Sequence, residues 1–386
     1  MKLGPARIAW LQISHQKLRL LAAVLGVAFA VVLVFVQLGF QQALYDSSVR
    51  WHTALGYDLA VISPKTTYLV NPPGFPRSRL YQTLGFEGVA SVTPVYIGIA
   101  EWRNPQNPLL TRNIYVMGFD PMNSGFALAG NREQVNQLRM PDRVLFDRLS
   151  RPEFGPIPGL FADTGKVTTE INGRDVKVVG LYELGTSFGI DGSIITSDLN
   201  FRRIFSDRSA ARIELGLLRL DEGAQATQVR DRIAAGIPGD VIVLTRDEFI
   251  QHEVEYWSNS TPIGYVFGLG VAMGLAVGLI VVYQILFSDV QDHLREYATM
   301  KAIGYSNFFL SRLVLSEAVI LAVLGFIPGY FCTLLVYTQA REATNLPVIM
   351  TTERGVMVLA LTVLMCAVSA LLAMRKLRSA DPAEVF

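Results

Sequence analysis

LLAAVLGVAFAVVLVFVQLGFQQALY, residues 20–45, carries no charge and is closed by Arg19 on one side and Asp46 on the other. A bilayer core of roughly 30 Å needs about 20 mostly apolar residues in helical form, so the run is long enough to cross once. Three more uncharged runs of similar reach follow, between Glu255 and Asp289, Glu317 and Arg341, and Arg354 and Arg375. Each suits one helix and none suits two. The chain is 51% hydrophobic and only 17% charged, which agrees with a membrane protein. The expected fold is membrane α-helical, with four transmembrane helices and a large α+β extracytoplasmic domain inserted between helices 1 and 2. Residues 1–19 form an amphipathic N-terminal segment, 20–45 the first span, 46–255 the inserted domain and 256–287 the second span. A coupling loop over 288–312 leads to the third span at 313–340, a short loop over 341–354 to the fourth at 355–374, and 375–386 are a tail.

The first run does not read as a cleaved leader. The apolar core of a leader reaches about 15 residues at most, and the stretch from Leu20 to Val36 exceeds it. Its only A-x-A match, Ala28 to Ala30, sits mid-run, where no cleavage site belongs. Basic residues in short flanking segments orient the spans. Lys2, Arg7, Lys17, Arg19, Arg295, Lys301, Arg312, Arg375, Lys376 and Arg378 fall on one side, and only Arg341 and Arg354 on the other. Both termini and the 288–312 loop are therefore expected in the cytoplasm, and residues 46–255 outside, in the periplasm where there are two membranes. The net charge of +1, from 34 basic and 33 acidic residues, gives no reason to expect nucleic acid. Cys332 and Cys366 lie in apolar runs with no metal-ligand spacing, and the inserted region has no cysteine to pair.

Within that region DLAVIS (58–63), NIYVMGF (113–119), DVKVVGLY (175–182), GSIITS (192–197), RIELGLLRL (212–220) and DVIVLT (240–245) read as strands. NREQVNQLR (131–139) and GAQATQVRDRIAAGI (223–237) read as helices, and NPPGFPR (71–77) as a loop. From Arg246 to Trp257 a helical pattern runs towards the second span, which predicts one continuous rod. No catalytic constellation stands out. His52 and His252, at the two ends of the region, read as polar residues near the membrane interface rather than as ligands or bases. GLFADTGKV (159–167) imitates a phosphate loop, but it has five residues between its glycines where four are needed, and Val167 where Ser or Thr would hold magnesium. No cofactor is expected in this chain.

Gly264, Gly268, Gly270, Gly274 and Gly278 make two small-xxx-small rows in the second span, which predict close helix packing, within the chain or in a dimer. The uncharged runs lack histidine too, so no proton relay or ion path is indicated. Gln37, Gln41, Gln42 and Gln284 read as contacts with headgroups. Pro328 between Gly325 and Gly329 permits a kink. In DVQDHLREYATMKAIG (289–304), Val290, Leu294, Tyr297 and Ala298 follow an i, i+4, i+7, i+8 pattern, a short amphipathic helix that Gly304 is placed to end.

REYATMKAIG (295–304), with Glu317 at the start of the third span, resembles the loop signature of MacB- and FtsX-type permeases, and the tail DPAEVF (381–386) resembles their ending. Ala9 to Ser47 is similar to DevC-type permeases of cyanobacterial glycolipid exporters. The resemblance implies a homodimer of this chain above two DevA-like ATPase subunits, which bind the ATP and Mg. It also implies a DevB-like membrane-fusion adaptor in the periplasm and a TolC-like outer-membrane channel. Arg295, Glu296, Ala298, Met300, Lys301 and Gly304 are the residues it nominates to couple to the ATPase, and glycolipid or another amphiphile is the cargo it suggests. Only the short segment up to Arg19 precedes the first span, which fits an ATPase on a separate chain, unlike the fused arrangement of MacB. Two rival readings are an FtsX-like scaffold that activates a periplasmic partner without moving cargo, and a membrane-anchored enzyme.

Overall fold

The computed structural model describes residues 5–122, 132–187 and 189–378. Asn131 of one expected helix and the whole DPAEVF tail lie outside them. The chain divides into two compact units, one holding the long apolar helices and the other residues 44–261 with 345–347.

In the helical unit the four apolar runs become helices Lys17–Ser48, Pro262–Asp292, Asn307–Thr344 and Thr352–Arg378. Each is long and apolar enough to cross a membrane. A shorter helix, Pro5–His15, precedes them and buries Ala9 in their shared core. Lipid is as apolar as leucine, so helices in it are held by backbone approach and hydrogen bonds more than by burial. Glycine permits that approach here. A Cβ on Gly325 would lie 2.5 Å from Cβ of Val27, and one on Gly329 would lie 3.0 Å from the carbonyl oxygen of Ala28. The third span thus lays a glycine row against the first, and Pro328 between them sits inside one unbroken helix. Gly325 and Gly329 therefore act as packing residues as well as flanking the proline.

The two glycine rows of the second span differ. A Cβ on Gly274 would meet Leu33 and Val34 at 3.3 Å, and one on Gly278 would meet Ala30 at 2.7 Å and also strike Met365 of the fourth span. Gly270 receives the side chain of Gln37, so that amide is a contact inside the bundle rather than with headgroups. Gly268 faces open space, with nothing within 4 Å, and Gly264 is half-buried. Polar groups add to the packing: Tyr337, 1% exposed, donates its hydroxyl to the carbonyl of Phe35, and Ser369 donates to the carbonyl of Leu279 at 3.0 Å.

The second unit is sheet-rich. Its strands are β1 (Leu59–Ile62), β2 (Phe75–Pro76), β3 (Val89–Arg103), β4 (Thr111–Phe119), β5 (Arg143–Asp147), β6 (Val167–Ile171), β7 (Arg174–Tyr182), β8 (Ser193–Ser197), β9 (Arg212–Ile213), β10 (Leu215–Leu220) and β11 (Ile242–Thr245). Nine of them form one mixed sheet in the order β11-β1-β10-β3-β4-β8-β5-β7-β6. β6 also bridges back to β3 at Trp102 and Ile171, so six strands close into a ring around Trp102, Phe146 and Phe154. β2 and β9 pair separately as a two-stranded ribbon.

All six expected strand segments carry strands, with RIELGLLRL split into β9 and β10. β3, β5, β6 and the short β2 inside NPPGFPR were not anticipated. The phosphate-loop lookalike is a helix, Ile157–Thr164, closed by Gly165 at φ 69° and followed by β6. That order, helix then turn then strand, is the reverse of the strand, loop and helix a phosphate loop requires.

Two expectations need correction here. The rod does not continue: helix Arg246–Glu255 passes into a π-helical turn, Tyr256–Ser260, and Thr261 is extended at φ −116° and ψ 152° before Pro262 opens the next helix. The cause is legible in Thr261-Pro262, because proline excludes the helical region from the residue before it and itself suits a first turn. His52, read as interfacial, is fully buried, with its ring edge-on to Phe249 and its Nε2 3.5 Å from Glu253. Glu253 in turn accepts from the backbone N–H of Leu69 at 2.8 Å and from Trp257 Nε1 at 2.9 Å. These contacts tie the start of the unit to its last helix. His252 places Nε2 2.9 Å from the carbonyl of Thr66.

Candidate coupling site

The turn between the second and third spans is built from three pieces. The second span ends at Asp292, His293 breaks it at φ −97° and ψ 15°, and a nine-residue helix, Leu294–Ala302, follows. His293 keeps the break tight, since its backbone N–H donates to the carbonyl of Asp289 at 3.1 Å and its Nδ1 lies 2.9 Å from the same oxygen. At the other end Gly304 takes φ 99°. Its N–H bonds the carbonyl of Lys301 at 3.1 Å while that of Tyr305 bonds Met300 at 3.0 Å, which is the double closure of a Schellman cap. Glycine is favoured there because a left-handed φ costs most L side chains roughly 1–2 kcal/mol.

The short helix is amphipathic as its spacing predicts. Tyr297 is 3% exposed and joins Val290, Leu310, Leu313 and Val314 in the helical core, with Met300 and Phe309 packed at its edge. Of the nominated residues, Arg295, on the side away from Tyr297, Glu296, on the flank, and Lys301, at the helix end, are exposed, Ala298 and Met300 are half-buried, and Gly304 is exposed in the cap. Sequence reasoning missed the apolar residues around that cap. Ile303 is 74% exposed and Phe308 70%, with Arg312 over the Phe308 ring at 5.8 Å. Their signal is present in AIGYSNFF (302–309), where bulky apolar residues continue after the helical period has ended.

Beneath the turn lies a polar cluster, of which Asp289, Tyr297 and Glu317 are buried. Arg19, at the start of the first span, reaches Asp292 at 2.6 Å and Asp289 at 3.8 Å, donates to Gln16 Oε1 at 2.9 Å and also bonds Ser288. Asp292 is half exposed, so this pair contributes at most about 1 kcal/mol; it fixes where the second span ends more than how stable it is. Burial raises the Tyr297 hydroxyl pKa, and the negative charges of Glu317, Asp289 and Glu296 raise it further. Glu317 is fully buried, and neither carboxylate oxygen has a hydrogen-bond partner among the described residues. A buried carboxyl group without a hydrogen-bond partner is costly, whereas an apolar side chain of similar shape is much less so. Glu317→Met is therefore expected to raise the thermal stability of the detergent-solubilised chain, and a lower melting temperature would show that the carboxyl group has a partner holding it.

Comparison with known proteins bears on this arrangement. Residues 268–382, which contain the whole turn, match the FtsX-like permease C-terminal family, and residues 20–235 match the MacB-like periplasmic core domain family. The second match alone spans more than half of the chain. The chain belongs to the MacB/FtsX-like family of ABC transporter permeases. An uncharacterized ABC transporter permease of Mycobacterium tuberculosis is 23% identical to this permease over 334 residues, covering 83% of it. The permease spans about a third of that relative's length, 36%. Among solved structures it is similar to the extracellular domain of the noncanonic ABC-type transporter YknZ from Gram-positive bacteria, at 13% identity, a TM-score of 0.35 and coverage of 49% of this chain and 98% of that one. It is likewise similar to the periplasmic region of MacB from Actinobacillus actinomycetemcomitans, at 12% identity, a TM-score of 0.36 and coverage of 52% and 94%.

Proposed function

We propose that this permease transmits the motion of an ABC ATPase to its MacB-like periplasmic domain, and thereby drives export of a lipid-like or amphiphilic cargo. The observation that carries the reading is the capped helix Leu294–Ala302: Tyr297 packs it into the core of the spans, Arg295, Glu296 and Lys301 stay exposed, and exposed Ile303 and Phe308 flank its capped end. A helix so anchored moves with the spans when a partner pushes it. The excess of basic residues on that side of the spans supports a cytoplasmic turn and cytoplasmic termini. ATP and Mg then belong to the ATPase. A homodimer of the permease, a membrane-fusion adaptor and a TolC-like channel complete the machine, with glycolipid as the cargo if the DevC-type likeness holds.

Purification of the complex in mild detergent tests this. Recovery of an ATPase with an adaptor and duct is the expected result, together with a cross-link from a cysteine at Lys301 to the ATPase. A cell-wall hydrolase in place of the adaptor and duct would favour an FtsX-like scaffold that moves no cargo. Activity of the permease alone on ATP would overturn both.

A further inference from the structure

In the sheet-rich unit, helix Asp198–Ile204, the loop over 205–211 and the β2–β9 ribbon border an open cavity of about 200 Å³. Its walls include Arg202, Arg208 and Arg212, with Phe201 and Tyr96 and a single carboxylate, Glu214. The three guanidinium groups come from different elements and are held in place. Arg208 donates to the carbonyl of Ile97 at 2.6 Å and lies over the ring of Phe205 at 4.7 Å. Arg202 is steadied by the backbone oxygen and carboxylate of Asp198, and Arg212 by the carbonyl of Gly74. Each keeps donors to spare, since a guanidinium has five.

Glu214 pairs with Arg208 and offsets only part of the charge of the three guanidinium groups. It accepts the backbone N–H of Ile97 at 3.0 Å and stands 3.5 Å from Arg208, and burial raises its pKa against those two influences. Tyr96 supplies an independent sign. It is 2% exposed, its ring lies 5.6 Å from that of Phe201, and its hydroxyl has no hydrogen-bond partner among the described residues. A buried hydroxyl left without a partner calls for one. A solvated basic face would explain the arginines but not a buried tyrosine hydroxyl among them.

We propose that this cavity binds a phosphoryl group, with Arg202, Arg208 and Arg212 matching its charge and Tyr96 donating its hydroxyl. Three guanidinium groups and a hydroxyl offer more donors than the two oxygens of a carboxylate accept, whereas a tetrahedral phosphoryl group takes them from several directions. Neither the fold nor the export reading depends on this site.

The test uses the full chain in detergent, titrated with inorganic phosphate at constant ionic strength and followed by calorimetry and thermal unfolding. Saturable binding with a rise in melting temperature is expected, weakened about tenfold or more in Arg208→Ala and Arg212→Ala. Tyr96→Phe, which leaves the ring packing in place, is expected to weaken it roughly two- to tenfold. Glycerol phosphate and dihexanoyl phosphatidic acid form two further arms. Equal affinity points to a soluble phosphoester, and tighter binding of the lipid points to a headgroup. No saturable binding in any arm, or binding unchanged in the arginine and Tyr96 variants, overturns the proposal.

Discussion

Leucine at Gly329 is expected to be among the most damaging single substitutions in the helical unit. Its Cβ would lie 2.8 Å from a methyl of Val31 and 3.0 Å from the carbonyl oxygen of Ala28, and backbone cannot rotate away as a side chain can. Overpacking of this kind costs about 1–3 kcal/mol, and the rest of the leucine must also be placed. Thermal unfolding and gel filtration of the detergent-solubilised chain should show a clear loss for Gly329→Leu and Gly325→Leu. Gly274→Leu, whose Cβ would meet neighbours at 3.3 Å, should lose less, and Gly268→Leu, with open space around it, should lose almost nothing. Equal losses at all four positions would mean that glycine serves these helices through some property other than close approach.

Gly304→Pro should separate ATP hydrolysis from export. Proline fixes φ at about −65°. Gly304 stands at φ 99°, and its N–H, which proline would remove, bonds the carbonyl of Lys301. Both halves of the cap are disturbed, because the φ and the N–H that close it are lost together, which frays the end that presents Lys301 and Ile303. The expected outcome is a complex that still hydrolyses ATP while export is lost, with the sheet-rich unit folded as before. Gly304→Asn, which tolerates a left-handed backbone, should retain most of the function. Normal export by the proline variant would remove the turn from the coupling path.

The spans were legible because charge is excluded from a lipid-facing run, and the turn helix because its apolar period is simple. β3 was not, although it is the longest strand. It is buried on both faces through its middle, so the alternation that marks a half-buried strand is missing, and Pro94 and Gly98 interrupt it as a turn would. The structure gives each a reason. Pro94 lies just before the pairing with β4, which begins at Val95, and Gly98 and Gly118 make room for the rings of Phe205 and Phe201. The role of Gly325 and Gly329 was hidden in the same way, because a glycine beside a proline suggests bending before it suggests contact. Glu317 reads in the sequence only as part of a signature; that both its oxygens lack hydrogen-bond partners among the described residues is a tertiary fact, which no spacing along the chain records.

The sheet-rich unit is entered and left by unlike tethers. The chain arrives in helix Lys17–Ser48, which runs without interruption across the residue 43–44 division between the units, and departs through Ser260, Thr261 and Pro262, where helical hydrogen bonding lapses. An unbroken helix resists torsion, whereas a link with one extended residue swivels. Of these two covalent links, the helical one at residues 43–44 is the stiffer, and the one at Thr261 is the more easily twisted.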